Sequence, residues 1–331
     1  LDGVVYSAHA AKHHYNFQLG TFCDIDQSNK TISLAPHLDE LGHTILPQRS
    51  VRYDHLVIAI GSVSNDFNTP GIKDHCYFLD SNQQAERFQH SLLDSFTRLH
   101  QDDNQQQSLN IAIVGGGATG VELSAELYHV SELLKLYGLT NMSSKRLHIH
   151  LIEAGPRILP ALPERIADSA KRELLKLGVN VREQTLVKEA TEQGFITKDE
   201  EHIDADIMVW AAGVKAPDFI KDLGVFELTR SNQIQVNEFL QSTVDESIFV
   251  IGDCCAFTQE DGKLVPPRAQ SAHQMALCVE KNLIATLKQQ PLCGFKYSDH
   301  GSLVNLSRYS TVGNLMGNLT SNTFFIEGKI A

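Results

Sequence analysis

The chain has 331 residues, 42% of them hydrophobic, enough for two domains that each bury a core. Its formal charge of −12 argues against a nucleic-acid partner, which needs clustered Lys and Arg. No apolar run reaches the roughly 18 residues needed to span a bilayer, and no charged-then-apolar leader is read, so a cytoplasmic setting is the default expectation.

Residues 17 to 34 alternate around Asp26-Gln-Ser-Asn-Lys30, with Phe17, Leu19 and Phe22 before the turn and Ile32 and Leu34 after it, which predicts a β-hairpin. A buried strand Leu56 to Ile60 follows and closes on Gly61. Asn68-Thr-Pro-Gly71 is a turn, and Gln83 to Leu99 has the period of an amphipathic helix. Gln101-Asp-Asp-Asn-Gln-Gln-Gln107 has no periodicity and is expected to be a domain boundary.

From Leu109 the pattern is β-α-β-α-β. It comprises strand 110 to 114, a helix from about 119 to 137, strand His148 to Glu153, a helix from about 164 to Gly178, and strand Val179 to Glu183. Strands alternating with helices imply a parallel sheet. Asp206-Ile-Met-Val-Trp-Ala-Ala-Gly213 is a further buried strand, and a second boundary is expected near residue 236. Strand 248 to 251 ends in Gly252-Asp253, Pro266-Pro267 opens a helix to about Leu287, and the tail from Gly301 is strand-like.

The chemistry centres on Gly115-Gly-Gly-Ala-Thr-Gly120 after an apolar strand. Gly115 permits the tight turn, Gly117 lets the backbone approach a pyrophosphate, and Gly120 lets the helix pack against its strand. With Thr119 they place phosphates at a helix N-terminus. Glu153, 38 positions after Gly115 rather than the usual ~20, would accept hydrogen bonds from a ribose and repel a 2′-phosphate, favouring NADH. An insertion at Leu139 to Arg146 would account for the spacing. A solvated strand-end glutamate is the alternative for Glu153, and nearby Arg157 could attract a phosphate.

Glu122 reads equally as a helix-start charge or as a neighbour of the nicotinamide. Asp253 emerges at the carboxyl end of a strand, where α/β folds bind ligands, although turns also use Asp. Ala269 to Gln274 start a helix, with Gln270 and Gln274 on one face. The six cysteines lack metal-site or C-x-x-C spacing, so reduced, mostly buried thiols are expected, including vicinal Cys254-Cys255. The histidine pairs His13-His14 and His148/His150 have no ligand-spaced partner, so no metal site is read.

The chain resembles the type II (single-subunit, non-proton-pumping) NADH:quinone oxidoreductases of bacterial respiratory chains, within the FAD-dependent pyridine nucleotide-disulfide oxidoreductase superfamily. The resemblance rests on Tyr53-Asp-His-Leu-Val-Ile-Ala-Ile-Gly-Ser62, Ile113-Val-Gly-Gly-Gly-Ala-Thr-Gly-Val-Glu-Leu-Ser-Ala-Glu126, Val209-Trp-Ala-Ala-Gly213, Ile251-Gly-Asp253 and Pro267-Arg-Ala-Gln-Ser-Ala-His-Gln274.

That resemblance implies an α/β fold of two Rossmann-like, glutathione-reductase-type dinucleotide-binding domains. An NADH domain (108–236) would be inserted in a truncated FAD domain (1–107 and 237–331). Hydride would pass from NADH to FAD, and two electrons to ubiquinone or menaquinone. Asp253, Ala269 and Gln270 would hold FAD, Lys329 would approach the flavin from the tail, Gly61, Gly213 and Gly252 would join the cofactor contacts, Gln270 and Gln274 would border the quinone, and Glu122 would lie near the stacked rings.

Two departures stand out: no strand-G-x-G-x-x-G precedes residue 115, and the amphipathic membrane helices that close the family are not seen. A fragment is therefore expected, soluble as it stands. The whole protein would sit peripherally on the cytoplasmic face of the bacterial inner membrane, with a homodimer left open. Competing readings are a ferredoxin reductase or sulfide:quinone reductase, or a non-catalytic NADH-binding protein.

Overall fold

A computed structural model describes residues 4–102, 107–136, 146–306, 310–315 and 324–328. The chain divides into two compact units, Leu1–Gly61 with Ala216–Phe295, and Ser62–Lys215 with Lys296–Ala331. The joins therefore fall at Gly61, Lys215 and Phe295, rather than near residues 107 and 236.

The second unit is built on a four-stranded parallel sheet in the spatial order Asn180–Arg182, Leu147–Ile152, Leu109–Val114, Ile207–Trp210. This 3-2-1-4 order is the nucleotide-binding half-fold. Its strands read as unbroken apolar runs because both faces are covered. Ile111 and Ile113 point to one face with Phe96, Leu151 and Leu174, while Ala112 and Val114 point to the other with Phe195, Met208 and Trp210. That second face carries a three-stranded antiparallel sheet, Val187–Thr191, Gly194–Thr197 and His202–Asp204, absent from the expected pattern.

Helices Ala118–Leu136 and Glu164–Leu177 make the crossovers, the latter ending at Gly178 with φ 98° and an N–H shared between Leu174 O and Leu175 O. Helix Asn82–Gln101 is capped by Ser81, whose side chain accepts from Gln84 N at 3.3 Å. It buries Phe88, Leu92, Phe96 and Leu99 in the same core as Leu109 and Ile111, which is why the polar run after it is no boundary. The buried Arg146 guanidinium holds its end, donating to Leu99 O at 2.9 Å and to Asp102 Oδ2 at 2.8 Å. The tail strand Gly301–Leu306 begins an antiparallel sheet with Ser310–Leu315 and Phe324–Gly328. Val304 and Leu306 are buried in this core too, so the tail packs with this unit.

The first unit holds an antiparallel sheet of Phe22–Asp26, Thr31–Leu34 and Arg49–Arg52, a short hairpin His37–Leu38 with Thr44–Leu46, and a parallel pair Leu56–Ile58 with Ile248–Val250. The expected hairpin starts at Phe22; Phe17 and Leu19 precede it and are exposed, 43% and 52%. Helix Ala269–Leu287 buries Met275 and Val279 on one face, and its Asn282 side chain holds the 293 segment by accepting from Cys293 N at 2.8 Å.

Candidate functional site

The glycines of the fingerprint meet different surroundings. A Cβ on Gly115 would stand 2.5 Å from Ala211 O, and one on Gly120 2.0 Å from Gly115 O, so strand, turn and helix can approach only if both positions lack a side chain. A Cβ on Gly117 would meet nothing within 4 Å. The backbone there is open on one side, a cradle that suits a pyrophosphate at the start of the Ala118–Leu136 helix. Thr119 is exposed beside it.

Glu153 is the best-defined side chain of the group. Its Oε2 accepts from Gly116 N at 2.7 Å and its Oε1 from Gly155 N at 2.6 Å, so the carboxylate is aimed by two backbone amides rather than left in solvent. Both amide donors are glycines for a reason: a Cβ on Gly116 would come 2.8 Å from Glu153 Oε2, and one on Gly155 2.9 Å from Oε1. These two glycines were not singled out in the sequence. The signal available was an all-glycine fingerprint start and a glycine two places after the acid. Arg157 faces away from the role of phosphate partner, because its guanidinium donates to Leu159 O, Pro160 O and Leu162 O at 3.0, 3.2 and 2.7 Å. The inserted loop invoked for the long spacing to Glu153 falls largely outside the described residues.

Glu122 is half-buried in the first turns of the fingerprint helix, and its Oε1 accepts from Asn305 N of the tail strand at 2.9 Å. It thus does more than complement the helix dipole: it satisfies a backbone donor of a packed strand. Gly213 has φ 74°, and its carbonyl accepts from Asn65 N at 3.2 Å where Val214–Lys215 pairs with Val63–Ser64.

In the first unit, Gly61 follows one strand of the parallel pair and Gly252 the other, with φ 70° and 74°. Asp253 lies in the short 3-10 turn Gly252–Cys254, half-exposed, while its carbonyl accepts from Gln233 Nε2 at 2.9 Å. Ala269 opens the long helix after Arg268, whose side chain does not cap it. Gln270 and Gln274 are half-buried one turn apart, and His273 between them is exposed. Lys329 lies outside the described residues.

The thiols are only in part as expected: Cys254 and Cys255 are buried, Cys76 and Cys278 half-buried, Cys23 and Cys293 exposed, and all six are free. Burial pushes the Cys254 and Cys255 thiols up, and the Cys76 thiol to about 12, so none of these three is a ready thiolate. Among the described residues no group of three His, Cys, Asp or Glu could hold a metal ion.

A parallel sheet of this order with a glycine fingerprint, an aimed acid and a second set of glycine-ended strands defines a nucleotide-dependent oxidoreductase with two dinucleotide-binding units. Residues 6–276 match the pyridine nucleotide-disulphide oxidoreductase family. A type II NADH:quinone oxidoreductase of Haemophilus influenzae is 46% identical over 345 positions, taking in 100% of this chain and 78% of the relative. That of Staphylococcus aureus is 31% identical over 274 positions, covering 80% of this chain and 66% of the relative's length.

Among solved structures, NDH2 from Plasmodium falciparum in complex with NADH superposes with a TM-score of 0.79 at 20% identity, over 92% of this chain and 76% of that one. A ferredoxin reductase from Rhodopseudomonas palustris gives 0.68 at 16% identity, over 97% and 75%, so the fold itself is shared more widely than the reaction. The chain belongs to the pyridine nucleotide-disulphide oxidoreductase family and, within it, to the type II NADH:quinone oxidoreductases.

Proposed function

We propose that this chain carries out respiratory NADH oxidation, passing a hydride from NADH to FAD and then two electrons to ubiquinone or menaquinone, without proton pumping. The observation that carries the reading is the Glu153 carboxylate, held on the amides of Gly116 and Gly155 beside the open backbone of Gly117. A carboxylate so placed accepts from ribose hydroxyls and repels a 2′-phosphate, which suits NADH. Gly115, Gly117, Thr119 and Gly120 hold the pyrophosphate in this reading, with Gly213 at the edge of the same unit.

The first unit fits a flavin in its glycine-ended parallel pair, in the half-exposed Asp253 and in a helix start that the Arg268 side chain does not cap. Gly61, Gly252, Asp253, Ala269 and Gln270 would hold FAD, with Lys329 from the tail, and Gln270 and Gln274 would border the quinone. Bound FAD supplies the hydride-accepting and electron-releasing chemistry. Glu122 is assigned beside the nicotinamide end, where it also fixes Asn305.

No helix among the described residues is long and apolar enough to cross a membrane. Because respiratory quinones are bilayer solutes, we place the protein peripherally on the cytoplasmic face of a bacterial inner membrane, as a monomer or homodimer. A sulfide:quinone reading is disfavoured by Cys254 and Cys255, whose burial keeps them protonated.

The test is an anaerobic titration of the purified protein with NADH, following flavin absorbance beside calorimetric NADH binding. Bleaching that a soluble quinone restores is the expected result. Binding without bleaching would make the chain a nucleotide sensor, and recovery with ferredoxin alone would make it a ferredoxin reductase.

A further inference from the structure

The loop between strand Leu147–Ile152 and helix Glu164–Leu177 contains a guanidinium that gives three of its five N–H donors to backbone carbonyls. Arg157 donates through Nη1 to Leu159 O and through Nη2 to Pro160 O and Leu162 O, closing residues 157–162 on themselves. At the centre of that closure Leu159 is buried, 2% exposed, with a left-handed φ of 48°. A leucine keeps that conformation only where its neighbours over-determine it.

The reason is visible in its partners. Leu159 N donates to Gly116 O at 2.7 Å, while Ile158 N donates to Glu183 Oε1 at 2.9 Å, and the other Glu183 oxygen pairs with Lys171. Gly116 is thus gripped on both polar groups by one loop: its N–H by Glu153, its carbonyl by Leu159.

We propose that Arg157 is a positioning residue for dinucleotide recognition. It straps residues 157–162 so that the Gly116 peptide and the Glu153 carboxylate keep the orientation that receives an adenosine ribose. Three of the guanidinium's five N–H donors already serve carbonyls, which disfavours it as a receptor for a 2′-phosphate. The inference rests on the NADH reading and deepens it: preference for the unphosphorylated dinucleotide is set by a scaffold as well as by the charge of Glu153. One consequence is that neutralising Glu153 weakens NADH and relieves the repulsion of NADPH without turning Arg157 into a phosphate receptor.

The test is calorimetric titration of the full chain with NADH and with NADPH, for wild type, Arg157→Lys, Arg157→Ala, Glu153→Gln and the double variant Glu153→Gln/Arg157→Ala. Hydrogen exchange is followed over segments 113–117 and 153–162. Lysine keeps the charge but cannot fork onto three carbonyls, so both Arg157 variants should raise the NADH Kd about ten-fold. Exchange should quicken in those two segments and stay unchanged in the antiparallel sheet 187–204. Glu153→Gln should lower the NADPH Kd only modestly, by the repulsion it removes.

The strap is overturned if Arg157→Lys binds NADH like wild type, or if exchange quickens across the whole unit. It is also overturned if Glu153→Gln gains NADPH affinity that the double variant loses, which would make Arg157 a phosphate receptor. A wild-type chain that binds no NADH at all fails differently: it removes the NADH reading beneath the strap.

Discussion

A Cβ on Gly120 would stand 2.0 Å from the carbonyl oxygen of Gly115, whereas a Cβ on Gly61 meets nothing within 4 Å. Both glycines belong to strand-glycine motifs, one in each unit, and in the sequence they look alike. Gly120 sits inside a helix, with nothing unusual in its backbone, and is glycine because there is no room. A side chain at Gly61 would find room at its Cβ, and the residue is glycine because its φ is 70°. Gly120 in the second unit is thus a packing glycine, and Gly61 in the first unit is a turn glycine. Gly120 should be brittle and Gly61 forgiving.

The comparison is broken most directly by Gly120→Ala. Because the atom met is backbone, relaxation must move the helix off its strand, and the expected cost is about 3 kcal/mol or more, at the upper end of overpacking effects. Calorimetric unfolding measures it, and a loss under about 1 kcal/mol would show that the crossing is looser than the packing implies. Next in size is Glu153→Gln, which replaces the aimed carboxylate with a neutral amide between Gly116 and Gly155. NADH affinity should fall by roughly 2 kcal/mol, about thirty-fold, the range of a charge-assisted hydrogen bond. The NADH-to-NADPH preference narrows chiefly through that loss, with a smaller part from the repulsion removed. An unchanged ratio of the two Kd values would remove Glu153 from recognition.

How much of this could be read in advance follows the same division. The parallel strands were legible because both of their faces are buried, leaving unbroken runs such as Ile111 to Val114. The fingerprint was legible because its glycines answer to one local turn. Strands Val187–Thr191, Gly194–Thr197 and His202–Asp204 were missed: each is short, and charged residues such as Lys188 and Glu189 mask the alternation. The tail was assigned to the flavin-side domain since nothing in Gly301 to Leu306 says which core Val304 and Leu306 enter. The partners of Arg157 are backbone carbonyls, which every residue has, so the strap left no mark on composition or spacing. Glu122 was read from its place on the helix, but its bond to Asn305 spans 183 positions and could not be.

In the first unit, function should be separable from stability, since Gln270 and Gln274 are half-buried side chains on a helix face rather than atoms in a tight crossing. Gln270→Ala is expected to slow quinone reduction by about ten-fold, or 1.4 kcal/mol, while flavin reduction by NADH changes little. Stopped-flow measurement of the two half-reactions decides it, and equal losses in both would count against the quinone assignment. The unfolding midpoint should stay close to wild type, in contrast to Gly120→Ala.

The smallest effect is the sharpest test of what the two kinds of glycine are for. If Gly61 is constrained only by its φ of 70°, Gly61→Ala should cost about 1 kcal/mol, the penalty for an L side chain in the left-handed region. Gly61→Asn should then cost only a few tenths, because asparagine enters that region far more readily than alanine despite its larger side chain. At Gly120 the order reverses: the larger residue must be the worse, since volume rather than backbone angle is limiting there. Four variants, Ala and Asn at each position, form the comparison, with unfolding free energy as the readout. If asparagine proved worse than alanine at Gly61 as well, space would be limiting at both positions, and the distinction between a packing glycine and a turn glycine would fall.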